Sequence, residues 1–164
     1  MANQLWLLRH AEAEPHGTRP DAERRLTPRG EEQSRHAGRA LAALQLTFQA
    51  LYTSPKVRAR DTALLAAEAL GDEPIVTPVL AEDFSVADAR DLLLGVEPDG
   101  RILVVGHNPD FAQVVFDLTG ARVDFKKGGV AGVRLDGTRG ELIALLRPRE
   151  LERIGPAGGA LSSG

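Results

Sequence analysis

Four short stretches of the 164-residue chain place residues suited to phosphate chemistry just after apolar runs: Arg9-His10, the "SPKVR" of residues 54–58, Glu82-Asp83, and Gly106-His107-Asn108. Arginine presents a planar fork of N–H donors that matches phosphate oxygens and keeps its charge, so Arg9 and Arg58 suit an oxyanion clamp. A neutral imidazole beside such a clamp can attack phosphorus, and a phosphohistidine divides one difficult displacement into two easier ones. A second imidazole, if protonated, stabilises the charge that builds on the equatorial oxygens. Backbone N–H groups at helix starts near Lys56 and Asn108 could add donors. With cationic side chains supplying the positive charge, the chemistry calls for no metal and no cofactor.

The elements that must position these residues are legible in outline. Residues 4–8 and 102–105 are continuous apolar runs, the pattern of strands covered on both faces in a parallel sheet. Residues 50–53 read as another strand, and "PIVTPVL" as a strand or extended segment that Pro78 interrupts. Between them, Thr27 is a helix N-cap with Pro28 at the first helical position, and Ala37, Ala40, Leu41 and Leu44 recur at helical spacing. "SPKVRARDTALLAAEALG" runs from a loop into a helix that Gly71 stops. Ser85 and Asp88 have the spacing of a capping box before a helix that Gly95 ends, and Asn108-Pro109 can cap a helix through Leu118. "GVAGVRLDGTRGELIALL" reads as an antiparallel hairpin turning around Asp136-Gly137. Strands alternating with helices predict an α/β fold, a largely parallel sheet with helices on both faces. Its ligand crevice lies beyond the carboxyl ends of the strands, where the four polar stretches emerge.

Composition narrows the field. The length fits one domain, read as residues 1–154, with "GPAGGALSSG" at 155–164 as a flexible C-terminal tail. There is no cysteine, which removes thiolate nucleophiles and zinc-thiolate sites and gives no sign of an oxidising compartment. A formal net charge of −3 provides no broad basic field, so neither nucleic acid nor an anionic membrane is the expected partner. "MANQLWLLRH" carries no basic leader, and its apolar run is too short for a secretory core or a membrane span; the reading is cytoplasmic.

"LLRHAEAE", "SPKVRARDT" and "VVGHNPDF" resemble the three signature blocks of the histidine phosphatase superfamily, in order and in spacing. "RRLTPRGEEQS" and "KKGGVAGVRL" are similar to the flanking blocks of its SixA-type phosphohistidine phosphatase branch, so the resemblance covers most of residues 5–146. It implies a phosphoglycerate mutase-like, three-layer α/β/α sandwich with a C-terminal β-hairpin. It further implies His10 as the nucleophile, Arg9, Arg58 and His107 around the phosphoryl group, and Ser54 at the pocket edge. Asn108 lies in the same block as His107 and is expected to touch substrate. Better-known members have glycine after the Arg-His pair; Ala11 here matches the SixA-type pattern and weakens any reading as a sugar-phosphate mutase.

The resemblance also bears on the leaving group. An alkyl phosphate needs a positioned general acid, whereas imidazole leaves more readily, and SixA-like enzymes lack the acid used elsewhere in the superfamily. Glu82 or Asp83 stands near where larger relatives carry that acid, and Glu82 is the candidate. The expected function is a metal-independent phosphatase acting on phosphohistidine of a protein. The alternatives are a small phosphoester substrate with the same mechanism, or a noncatalytic phosphate- or partner-binding module, which the retention of both histidines and both arginines disfavours. His16 and His36 read as loop and helix-surface residues, Arg60 as an ordinary helix charge, and Glu12 and Glu14 as loop charges. Lys126 and Lys127 could be solvated or could meet a phosphate or an acidic partner. Oligomeric state is not legible.

Overall fold

In a computed structural model, which describes residues 2–163 and the side chains of 2–155, six strands form one sheet in the order β3-β2-β4-β1-β5-β6. These are β1 (Asn3–Arg9), β2 (Ala50–Thr53), β3 (Pro74–Val76), β4 (Arg101–Gly106), β5 (Val130–Asp136) and β6 (Arg139–Leu146). The first four run parallel, and β5 and β6 form the antiparallel hairpin. The helices are α1 (Pro28–Ala43), α2 (Val57–Leu70), α3 (Val86–Leu93), α4 (Asp110–Thr119) and α5 (Pro148–Ser163).

The central strands β1 and β4 are apolar over residues 5–8 and 102–105, where they are buried on both faces, and their alternation separates two cores. Leu5, Leu7, Ile102 and Val104 face one way, joining Ala89 and Leu93 of α3 and Phe111, Val114 and Val115 of α4. Trp6, Leu8, Leu103 and Val105 face the other, against Ala37, Ala40 and Leu41 of α1 and Ala59, Ala63 and Ala66 of α2. The chain moves outward through β2 and β3 with α1 and α2 on one face. It then returns to β4 with α3 on the opposite face, as right-handed crossovers require when direction reverses. That reversal leaves a crevice at the carboxyl ends of β1, β4 and β2.

Small residues set the spacing of α1 and α2. A Cβ on Gly38 would lie 2.2 Å from the Ala66 carbonyl oxygen, so only glycine allows the two backbones this approach. The helix starts follow their sequence signals: Thr27 accepts from the Gly30 N–H, and Ser85 and Asp88 form the capping box.

One reading is sharpened and one is corrected. "PIVTPVL" is a three-residue edge strand, ended before Pro78, where the ring removes a ladder donor and a 3-10 turn begins instead. The C-terminal segment from 155, read as a tail, continues α5 as far as Ser163, while residue 164 lies outside the described residues. The helix has a physical basis. Pro148 occupies its first position, Glu150 accepts from the Arg147 N–H and guanidinium, and Leu151 is fully buried. Ile154 packs one turn further on, against the core shared with α1. Pro156 and the glycines that follow concealed this pattern in the sequence.

Candidate active site

Register brings the two histidines together. Arg9 pairs with Gly106 across β1 and β4, and Thr53 with Val105 across β2 and β4. The ladders continue one residue past the strands, through His10 N–H to Gly106 C=O (2.9 Å) and Ser54 N–H to Val105 C=O (3.0 Å). His10 and His107 therefore leave neighbouring strands at one level, and Ser54 leaves β2 one residue lower, level with Gly106, on the other side of β4. Adjacent strands lie about 4.8 Å apart, and the imidazole centroids of His10 and His107 are 5.3 Å apart with planes inclined at 52°. Strand pairing sets this distance.

The tautomer of His10 follows from its partner. Nδ1 lies 2.8 Å from the Ala11 carbonyl oxygen, which can only accept, so Nδ1 carries the proton and Nε2 holds the lone pair. Burial lowers the His10 pKa to about 3; the Ala11 bond opposes this, and His107, Arg58 and Arg9 reinforce it. Ala11 is itself fixed, its N–H donating to Thr62 Oγ1 (3.1 Å), while the Thr62 hydroxyl donates to the Arg58 carbonyl (2.7 Å). His107 Nε2 lies 2.8 Å from Ser54 Oγ, which also accepts from the Lys56 N–H (3.2 Å). Burial brings the His107 pKa to about 3 as well, helped by the charges of Arg58 and Lys56. At neutral pH both imidazoles are uncharged.

Arg9 and Arg58 flank them. Arg9 Nη1 donates to the Phe125 carbonyl (2.6 Å), a contact made possible because β5 enters antiparallel beside the end of β1. Arg58, nearly buried at the start of α2, donates through Nη1 to the Asp21 carbonyl (2.8 Å) and through Nη2 to Asp21 Oδ2 (3.3 Å). Among the described residues, the buried side-chain nitrogens without a hydrogen-bond partner are Arg9 Nε, Arg58 Nε and His107 Nδ1. Unsatisfied buried polar atoms are rare in native proteins, and here all three belong to this cluster.

A model of the histidine phosphatase superfamily (branch 1) matches residues 5–92, more than half of the chain. The chain belongs to that superfamily. Its fold is that of the SixA-like histidine phosphatases: it superposes on a protein histidine phosphatase SixA complexed with tungstate with a TM-score of 0.81 at 25% identity, covering 90% of this chain and 99% of that one. A mutant phosphoserine phosphatase of Entamoeba histolytica in complex with phosphoserine shares the fold at a TM-score of 0.71 and 16% identity, covering 91% and 99% of the two chains. An uncharacterised protein of Picosynechococcus is 34% identical over 90% of this chain and 98% of its own length. Family and fold together support phosphatase activity.

Other expected residues of this chain fall less centrally. Glu82 is 77% exposed and pairs with Lys56 (3.6 Å), forming no ion pair with either histidine. Asp83 is exposed as well. Asn108 Oδ1 accepts from the Ala112 N–H (3.2 Å), so it holds the first turn of α4. Glu12 pairs with Arg29 and Glu14 with Arg19, and Arg60 approaches Asp61 at 3.9 Å. His16 is exposed, and His36 lies half-buried on α1. No helix among the described residues is long and apolar enough to cross a membrane.

Asp21, which the sequence reading passed over within a polar loop, stands at the centre of the charge network. It meets Arg58, Arg24 (3.1 Å) and Lys56 (3.6 Å). Burial acts to raise its pKa, yet the charges and hydrogen bonds of Arg58 and Arg24 outweigh that and hold it at about 2. The one available signal was the "RPDAERR" sequence, a lone aspartate after proline amid arginines. Nothing local linked it to Arg58, 37 positions away.

Proposed function

We propose that this protein is a metal-independent phosphatase that works through phospho-His10 and removes phosphoryl groups from histidine on a protein. The observation that carries the reading is His10 itself: a buried, uncharged imidazole between two arginines, its ring centroid 5.3 Å from that of His107, with Nδ1 tied to Ala11 and Nε2 left as the nucleophilic atom. Nε2 attacks phosphorus as the P–N bond to the substrate imidazole breaks, and the leaving imidazole takes a proton from solvent. Water then attacks phospho-His10, releasing phosphate and restoring the free imidazole. Arg9 and Arg58 hold the equatorial oxygens, and their unpartnered Nε–H groups, with His107 Nδ1, gain acceptors from the oxyanion.

A phosphoryl dianion also reverses the field around His107. Arg58 and Lys56 now oppose its protonation; two negative charges beside it favour the imidazolium, which stabilises the transition state. Ser54 orients that ring, with its own proton able to point at Nε2 because its oxygen accepts from Lys56. Asn108 acts through the start of α4 in this reading. The preference for phosphohistidine over an alkyl phosphate draws support from Glu82, which is engaged with Lys56 at the exposed rim. Imidazole needs less help to depart than alkoxide.

The test is hydrolysis of a phosphohistidine-bearing protein beside a panel of small phosphoesters, with chelator present, for wild type and His10→Ala. The expected result is chelator-resistant activity favouring phosphohistidine and lost by at least about a thousandfold in a folded His10→Ala protein. Activity retained in His10→Ala removes that residue from the nucleophile role. A preference for small esters, lost in Glu82→Gln, would move the protein to a metabolite substrate.

A further inference from the structure

Beside Arg9 lies a groove of about 550 Å³ whose cations come from four separate parts of the chain: Arg9 at the end of β1, Arg29 at the start of α1, Lys126 and Lys127 before β5, and Arg147 and Arg149 around the start of α5. One carboxylate, Asp124, shares the lining, paired to Lys126 at 2.8 Å. Glu12 pairs with Arg29 and Glu150 with Arg147 and Arg149 at its margins, so six cations meet three acids. The whole chain has the opposite balance, with a formal charge of −3. Folding has sorted the charge, gathering cations that sequence alone leaves up to 140 positions apart. Lys127 makes no ion pair among the described residues.

We propose that this groove docks an acidic protein surface flanking the phosphorylated side chain, an inference that rests on the protein-substrate reading above. Arg9 joins the two regions: it borders the histidine pair and donates to the Phe125 carbonyl in the groove wall. A phosphoryl group at His10 and carboxylates in the groove can therefore be held at once. The form of the groove selects the partner. Apart from Arg9 the cations are exposed, on long side chains spread over several elements. A second phosphate of a small molecule would call for convergent, desolvated donors such as Arg9 and Arg58 provide at the histidines. Dispersed exposed cations suit carboxylates distributed over a protein surface, where they steer encounter and fix orientation.

The test uses Lys127→Gln/Arg149→Gln, two exposed sites outside the catalytic cluster. A fluorescein-labelled oligoglutamate peptide should bind wild type at low salt, with affinity about tenfold weaker in the double variant and likewise weakened at high salt. On a phosphohistidine-bearing protein the variant should raise KM about tenfold with kcat little changed, while turnover of p-nitrophenyl phosphate stays within about twofold. Lys127→Arg/Arg149→Lys should restore both. Absence of peptide binding to wild type, equal binding to the variant, or equal kinetic losses on both substrates would overturn the proposal. Stronger competition by pyrophosphate than by oligoglutamate would also overturn it, assigning the groove to a small polyanion. If wild type hydrolyses nothing, the catalytic reading fails, and peptide binding alone judges the groove.

Discussion

Two neutral histidines in a cationic pocket affect stability as well as chemistry. His10 and His107 have folded pKa values of about 3 against an ordinary 6.5, so between these limits the unfolded chain binds protons that the folded protein refuses. Their contribution to stability is therefore complete above pH 6.5 and lost as pH falls toward 3, at up to about 1.4 kcal/mol per pH unit for each histidine. Asp21 acts in the same direction lower down, losing its contribution between pH 3.8 and about 2. Denaturant unfolding followed from about pH 7 to about pH 4.5 should show stability falling with acid, and His107→Gln should remove roughly half of the histidine-dependent slope. An unchanged slope in that variant would mean that His107 is not held neutral. The residue types Arg9, His10, Arg58 and His107 were readable because each follows an apolar run. Asp21 was not, since its importance lies in contacts with Arg58 and Lys56 that no local pattern encodes.

At the scale of elements, the pocket depends on how closely helices and strands approach. The Gly38 backbone touches Ala66 across the α1–α2 interface, and a side chain there must push the helices apart. Gly38→Ala should cost about 1–3 kcal/mol through overpacking, measured by denaturant unfolding, while the folded fraction keeps its activity. No stability loss would show that the helix pair repacks freely. Most elements announced themselves through caps and periodicity, as Thr27-Pro28 and Ser85-Asp88 did for α1 and α3. The last helix did not: α5 owes its helical state to packing Leu151 and Ile154 on the α1 side of the core, which no local pattern encodes.

For the whole molecule, the proposed oxyanion clamp of Arg9 and Arg58 would couple ligand binding to global stability. An oxyanion that binds the folded protein and not the unfolded chain should raise Tm, by about 2.7 kcal/mol of added stability at a hundred times its Kd. Thermal unfolding with phosphate or tungstate should show this shift in wild type and a much smaller one in Arg58→Ala, compared with that variant's own ligand-free Tm. An equal shift in both proteins would place the anion elsewhere.

The sequence by itself determined the α/β alternation, the residue types suited to phosphate chemistry and their positions after strands, because local periodicity, capping and side-chain chemistry are properties of neighbouring residues. Tertiary structure decided the rest. The strand order placed β4 between β1 and β2, bringing His10, His107 and Ser54 together at one end of the sheet. Burial made the imidazoles neutral, and chain segments far apart in sequence supplied both Asp21 to Arg58 and the cations of the groove. Electrostatic fields and desolvation depend on distances through space, and only the folded chain sets those distances.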